Sequence, residues 1–382
     1  NGGVISGETA AREAVRTILS GPAGGVVGGF EVASAAGFRN AITFDMGGTS
    51  TDVSLIDETI GFTGETEVAG CPIRVPVIDI HTVGAGGGSI ARCDPGGALE
   101  VGPESAGADP GPICYGRGTE VTVTDANLFL GRLDPDRFLG GRMRLKIKSV
   151  KKGIEKLAAS LNLSPIQTAE GVLRVADQHM ARAIRLISVE RGHDPREYVL
   201  VSFGGAGAMH ACSLARILDI PTVLIPRDPG ILSARGMVVA DVVRDYAQTV
   251  LQPAEAVNGK KLENYFRPLL DRATKDLRKE GFSSIRVERF ADMRYFGQSF
   301  EIMVSIPKGG NPSGKLLSRF HEMHDSRFGV SNPQRPVEVV TLRVRAVGKV
   351  KKPPPSKIAG GKTKTEAIMG THPIIFGGKV YK

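Results

Sequence analysis

Tryptophan is absent from these 382 residues, and 15 phenylalanines and 6 tyrosines are the whole aromatic complement, too sparse for a surface that stacks bases. The four cysteines, Cys71, Cys93, Cys114 and Cys212, form no CxxC pair, which argues against a structural zinc knuckle. They read as reduced, mostly packed thiols of a cytoplasmic protein. No apolar run approaches the ~20 residues of a membrane helix, so no membrane partner is expected. A secretory signal is also missing, and the start Asn1-Gly2-Gly3 reads as a fragment or a processed end. The net charge is +9, but its excess collects at 142–152 and 349–364 without interleaved aromatics. Those stretches read as solvated surface, and no nucleic acid is expected.

Glycine is abundant, with 49 residues grouped at Gly21 to Gly25, Gly47-Gly48, Gly84 to Gly88, Gly107 to Gly118 and Gly204 to Gly207. Strand-like and helix-like segments separate these groups, so they are loops of a folded domain. Glycine is needed where backbone turns with positive φ or comes close to a ligand. Several such loops in one domain point to a bound anion or nucleotide.

The length exceeds one average domain. Residues 1–247 alternate strands, glycine turns and helices, the signature of an α/β layer. Ser164, Pro165 and Gln167 make a capping box for a helix over 164–192, with apolar residues from Ile166 to Ile187 every three or four positions and Gly192 at its end. His179 near that stripe reads as a packed helix residue. The strand Tyr198 to Phe203 then runs into Gly204-Gly205-Ala206-Gly207 and a helix from about Met209 to Leu218, before a last strand at Thr222 to Ile225. Residues 248–350 follow an α-β-β-α-β order with few glycine loops, a smaller α+β domain. The boundary falls near 247, and the Pro/Lys run 351–357 reads as a linker opening a segment, 351–382, too short to classify.

Three motifs carry chemistry. The hinge Asp45-Met46-Gly47-Gly48-Thr49-Ser50-Thr51 lies between two strands. Its glycines can turn backbone N–H groups into one concavity for phosphate oxygens, with the hydroxyls of Thr49, Ser50 and Thr51 as further donors. Asp45 at the strand end is placed to orient a water on Mg²⁺. A Gly-Gly hairpin is also an ordinary β-turn, so spacing alone leaves both readings open. The turn Gly204, Gly205, Ala206, Gly207 opens a helix whose first amides favour anions or polar ligand edges. His81 precedes a loop with four glycines in five residues and is a candidate base as well as a candidate structural histidine. Asp109 belongs to a rigid Asp109-Pro110-Gly111-Pro112 cluster, beside Cys114 and Tyr115, that could wall a site. A catalytic role for Cys114 lacks a visible activating partner.

These residues resemble the hydantoinase A/oxoprolinase family. The resemblance runs through Ser20 to Gly25, Phe44 to Val53, Thr82 to Ala91, Val101 to Tyr115, Thr122 to Asn127, Gly192 to Arg196, Ser202 to Ala211 and Asp292 to Gln298. It implies an actin-like ATPase (ribonuclease H-like) lobe, with Asp45 to Thr51 as a phosphate loop and Gly204 to Gly207 as the adenosine turn. ATP and Mg²⁺ are the implied cofactors, and Asp45, His81 and Asp109 the candidate catalytic residues. Family members use ATP to open cyclic amides such as hydantoins and 5-oxoproline, commonly with a hydantoinase B-type subunit or domain. Relatives include acetone and acetophenone carboxylase subunits. The sequence departs from the pattern in three places. A second Asp-x-Gly-Gly-Thr hairpin, expected on an N-terminal lobe, does not occur in these residues. One glycine fewer follows Tyr115, and Ala208 stands where the family has proline. Three readings follow: a component of a cyclic-amide hydrolase, an ATP-dependent carboxylase subunit, or a half-fold that binds nucleotide or a partner without turnover.

Overall fold

In the computed structural model, which describes residues 2–5, 7–63, 66–68, 71–73, 75–257, 259–306, 312–352 and 370–381, the glycine hinge closes a β-hairpin. Strands β1 (Asn40–Met46) and β2 (Thr51–Asp57) pair antiparallel, Met46 opposite Thr51 and Asp45 opposite Asp52. β3 (Thr59–Ile60) and β4 (His81–Val83) pair with β2, and a twisted hairpin of β5 (Ser89–Cys93) and β6 (Leu99–Ser105) follows. β7 (Val199–Phe203) lies parallel to β1 with Phe203 beside Asp45, and β8 (Thr222–Leu224) lies parallel to β7. The order β8-β7-β1-β2-β3 is therefore one antiparallel meander extended by two parallel strands. Every residue of β7 is buried, and β1 is nearly so, which suits strands covered on both faces.

Helices α2 (Val123–Phe129), α3 (Ile147–Leu161), α4 (Pro165–Ile187) and α5 (Gly207–Ile217) cover this sheet. The Ser164–Gln167 capping box forms at the start of α4 as the sequence indicates, and Gly192 closes the segment at φ +82°. His179 is exposed on α4, so its reading as a packed residue is corrected. Gly21 to Gly25 are corrected too: they sit inside helix α1 (Ser20–Ala35) rather than in a loop. Two glycines of this helix, Gly28 and Gly29, serve packing. A Cβ on Gly29 would stand 2.7 Å from Thr43 Cγ2 of β1, and one on Gly28 2.7 Å from the Leu232 carbonyl.

Apart from residues 20–27 of α1, these elements belong to one compact unit, Gly28–Gly61, Asp79–Ser233 and Pro354–Lys382. A second unit comprises Asn1–Val27, Phe62–Ile78 and Ala234–Pro353. Its antiparallel sheet runs β9-β12-β10-β11, from β9 (Val242–Pro253), β10 (Ile285–Tyr295), β11 (Ile302–Ser305) and β12 (Val337–Gly348). Helices α6 (Gly259–Lys279) and α7 (Pro312–Phe328) bury Phe266 and Phe320 against it. Residue 247, where the sequence texture changes, lies within β9. The 351–357 run lies, from residue 353 onward, outside the described residues. Two of the four free thiols, Cys71 and Cys212, are exposed, against the expectation of packed cysteines. The basic residues of 142–152 are exposed as expected. No helix among the described residues is long and apolar enough to cross a membrane.

A pH-sensitive cluster lies at the end of β10. The backbone amide of Asn332 donates to Tyr295 Oη at 2.7 Å, and the Tyr295 hydroxyl lies 2.8 Å from His321 Nδ1. Burial, with the neighbouring His324, pulls the His321 pKa below its usual value. Neutral His321 thus contributes stability above the unfolded-state value of ~6.5, and that contribution is lost as pH falls through the folded value. The unfolding temperature of this unit is expected to drop from pH 7.5 to 5.5, and His321→Gln is expected to reduce that drop. An unchanged pH slope in the variant, followed by differential scanning fluorimetry, would refute this.

Candidate nucleotide-binding site

Three glycine segments converge at the end of β1. The hairpin tip is held by Gly47 N–H donating to the Ser50 carbonyl at 3.0 Å. The loop 84–88 is stitched beneath it, Gly87 N–H donating to the Gly47 carbonyl at 3.0 Å and Gly88 N–H to the Gly48 carbonyl at 2.6 Å. Thr51 is buried and its hydroxyl donates to the Ala85 carbonyl at 2.6 Å. That hydroxyl is committed to the fold, which corrects its reading as a phosphate donor and leaves Thr49, exposed, and Ser50, half-buried, as the hydroxyls at the tip. The turn after β7 closes the third side. Ala206 N–H donates to the Met46 carbonyl at 3.0 Å, and Gly204, at φ +81°, lies so close that a Cβ would collide with Asp45 Oδ1 and the Met46 backbone.

The glycines differ in what they face. A Cβ on Gly86 would stand 2.7 Å from the Gly48 carbonyl oxygen, and one on Gly87 2.8 Å from Thr124 Oγ1. These two are packing glycines. A Cβ on Gly48 or Gly205 would meet nothing within 4 Å. Those two open outward, as glycines facing a ligand do. Among the described residues no side chain caps α5, so its first amides lack the usual side-chain acceptor.

The electrostatics centre on a pair of carboxylates. Cross-strand pairing puts Asp45 and Asp52 directly opposite, and β4 adds Thr82 opposite Asp52, so all three share one face. Ser233 Oγ donates to Asp45 Oδ2 at 3.2 Å, and Thr82 Oγ1 donates to Asp52 Oδ1 at 2.5 Å. Burial raises the Asp45 pKa, Ser233 opposes the rise and the charge of Asp52 adds to it. Burial likewise raises that of Asp52 against the pull of Thr82. Like charges opposed on a sheet repel, and a cation relieves them. The oxygen donors suit Mg²⁺, which keeps several waters and takes one or two carboxylates plus phosphate oxygens.

Because both carboxylate pKa values are raised on folding, each charge costs stability at neutral pH, a cost that vanishes as pH falls through the folded value. Asp52→Asn keeps an oxygen for Thr82 and removes one charge. It is expected to raise the unfolding temperature at pH 7 by roughly 1–3 °C, with the gain shrinking towards pH 4. A lower unfolding temperature at pH 7 would contradict the repulsion argued here.

His81 and Asp109 stand elsewhere. His81 pairs with Val53, and strand alternation turns it to the face opposite Asp52 and Thr82, so the candidate base does not join the two carboxylates. Asp109 is exposed and ion-paired to Arg117 at 3.3 Å, on a loop tied to Gly88 through the Ala106 amide. Cys114 is buried, and burial with the charge of Asp125 pushes its thiol pKa far up, which argues further against a catalytic role for it. The Thr122 to Asn127 motif is architectural at Asp125. That carboxylate accepts from the amides of Ile113, Cys114 and Thr122 and from the Thr122 hydroxyl, binding the 109–115 cluster to the start of α2.

The family model described as hydantoinase/oxoprolinase matches residues 1–246. The chain belongs to this family. The caprolactamase subunit alpha of Pseudomonas jessenii is 37% identical over 98% of this chain, which spans 56% of that protein. The 5-oxoprolinase of Saccharomyces cerevisiae is 39% identical over 91% of this chain and 28% of its own length. Among solved structures, the ATP-dependent caprolactamase of P. jessenii matches with a TM-score of 0.85 and 37% identity, over 96% of this chain and 55% of that one. Nucleotide-free acetone carboxylase matches with a TM-score of 0.76 and 27% identity, over all of this chain and 56% of that one. The hydantoinase/oxoprolinase chain described here therefore spans about half, or less, of the length of these relatives. With these matches, the α/β unit carrying β1 to β8 is an actin-like lobe.

Proposed function

We propose that this chain is a component of an ATP-dependent hydrolase that opens cyclic amides by phosphoryl activation. The observation that supports it most is the convergence of three glycine segments on Asp45, with Gly48 and Gly205 opening outward, in a hydantoinase/oxoprolinase chain similar to caprolactamase. In this reading Gly47, Gly48, Thr49 and Ser50 receive the phosphates, and Gly204 to Gly207 receive the adenosine. Asp45, held by Ser233, would help hold Mg²⁺, with Asp52 sharing the charge. Mg²⁺ neutralises phosphate oxygens when bound. The γ-phosphoryl group of ATP passes to the amide oxygen, which removes the resonance that protects the ring C–N bond. Water then adds to that carbon, the C–N bond breaks, and inorganic phosphate leaves, so ATP and water are consumed and an open amino acid results. A hydantoinase B-type partner supplies the remainder of the site, in keeping with the alpha-subunit name of the Pseudomonas relative.

A second reading has one specific support, the acetone carboxylase match, in which a ketone enolate and bicarbonate replace the amide. The test is ADP release by the full-length protein with its hydantoinase B-type partner, over a panel of caprolactam, 5-oxoproline, hydantoin and acetone, with and without bicarbonate. Amide-dependent, bicarbonate-independent ADP release is the expected result. Release that requires bicarbonate and ketone would move the protein to the carboxylase reading, and release with no substrate in the panel would overturn both.

A further inference from the structure

Behind the glycine loops lies a buried polar group that the proposed chemistry does not use. His210, one turn into α5, is fully buried, and its Nδ1 lies 2.6 Å from Oδ1 of Asp177 on α4, itself 4% exposed. A ring nitrogen that close to a carboxylate oxygen carries the proton, so Nδ1–H donates to Asp177. Asn127 Nδ2 on α2 lies 3.4 Å from Nε2, and Asn127 is also fully buried. Asn127 Nδ2 also reaches the Val123 carbonyl at 3.1 Å, while its Oδ1 is buried without a hydrogen-bond partner. Polar side chains are kept in a core at that cost only when they fix something.

What they join is informative. α5 begins at Gly207, the last residue of the adenosine turn. The second residue of α2 is Thr124, whose amide and hydroxyl both donate to the Gly87 carbonyl at 2.8 Å. Gly87 N–H in turn donates to the Gly47 carbonyl of the phosphate hairpin. A continuous path therefore runs from Asp177 on α4 through His210 on α5, the helix that carries the turn, and Asn127 on α2 to Gly87 and the hairpin.

We propose that His210 is a positioning residue, and that the Asp177–His210–Asn127 relay sets the spacing between the turn that takes the adenosine and the hairpin that takes the phosphates. The inference rests on the nucleotide reading of those two loops and adds the element that holds them in register. A ligand that touches both loops depends on the spacing, and one that touches only the turn does not. A residue that merely fills the core would weaken both alike.

The experiment uses Asn127→Leu in the full-length protein, because this near-isosteric change cuts the relay without stranding the Asp177 charge. Calorimetry measures the binding of Mg²⁺ with a non-hydrolysable ATP analogue, and of adenosine alone. The relay predicts a roughly tenfold weaker Kd for the analogue, the worth of one hydrogen bond, with adenosine changed less than twofold. In turnover, KM for ATP rises while kcat holds. Equal weakening of both ligands, or no change in either, overturns the inference. Hydrogen exchange of the unliganded protein separates this from failure of the nucleotide reading. Faster exchange at Gly47, Gly87 and Ala206 in the variant supports the relay even if the wild-type protein binds no nucleotide, and unchanged exchange there refutes it.

Discussion

A Gly48→Val protein is expected to fold normally and to lose ATP-dependent turnover by at least about 10²-fold, whereas Gly86→Val is expected to act differently, by lowering the stability of the fold. The two glycines lie on facing segments, but their surroundings differ. A Cβ on Gly48 meets nothing within 4 Å, and this residue is not among those at positive φ, so valine fits without strain. Its branched side chain then occupies the space through which phosphate oxygens would approach the hairpin. A Cβ on Gly86 would stand 2.7 Å from the Gly48 carbonyl oxygen and 2.8 Å from the Ser50 nitrogen, both backbone atoms that cannot swing aside. Overpacking of that kind costs about 2–4 kcal/mol, or roughly 5–10 °C in the unfolding temperature of a lobe this size. The measurement is thermal unfolding and substrate-dependent ADP release on both variants of the full-length protein. Full activity in a folded Gly48→Val protein would remove the hairpin from the nucleotide site. A Gly86→Val protein as stable as wild type would remove the stitching of loop 84–88 beneath the hairpin.

The features legible in the sequence are those with local causes. The capping box of α4 needs only residues 164–167, and it forms. The hairpin at Asp45 to Thr51 is a short-range turn between two apolar strands, and it forms. Asp52 was within reach of the same reasoning, because a four-residue turn that pairs Met46 with Thr51 must pair Asp45 with Asp52. Alternation from there also separates His81 from Asp52. Asp177 left a signal too, a carboxylate beside the apolar stripe of a long helix, where ionised side chains are rare without a partner. The partner, His210, lies 33 positions away, and nothing local links them. The Thr124–Gly87 stitch and Ser233 beside Asp45 are likewise tertiary contacts between distant segments. β9 is not legible in the sequence because its inward positions carry polar residues, Arg244 buried and Gln248 and Gln252 half-buried, so burial alternates from Tyr246 onward without an alternation of apolar residues.

Assayed by themselves, these 382 residues are expected to hydrolyse ATP at least about 10²–10³-fold more slowly than the same residues joined to a lobe that carries a second Asp-x-Gly-Gly-Thr hairpin. In the actin-like arrangement two lobes close on the nucleotide and each contributes one phosphate hairpin. Only Asp45 to Thr51 fits that pattern in this sequence. The hairpin, the turn at Gly204 to Gly207 and Asp45 with Asp52 all belong to one compact unit, so a nucleotide bound there is gripped from one side. The β- and γ-phosphates then face water on the other side, where their charge is screened and the attacking group is not positioned. Binding and turnover should separate as a result. The Mg²⁺–ATP analogue binds weakly to the 382-residue chain, and that binding is lost in Gly48→Val. Hydrolysis appears only when the second lobe and a hydantoinase B-type partner are supplied. The assay is phosphate release by the purified chain, repeated after each addition. Hydrolysis at an enzyme-like rate by the chain alone would show that one hairpin is sufficient, and the two-lobe basis of the proposed mechanism would have to be abandoned.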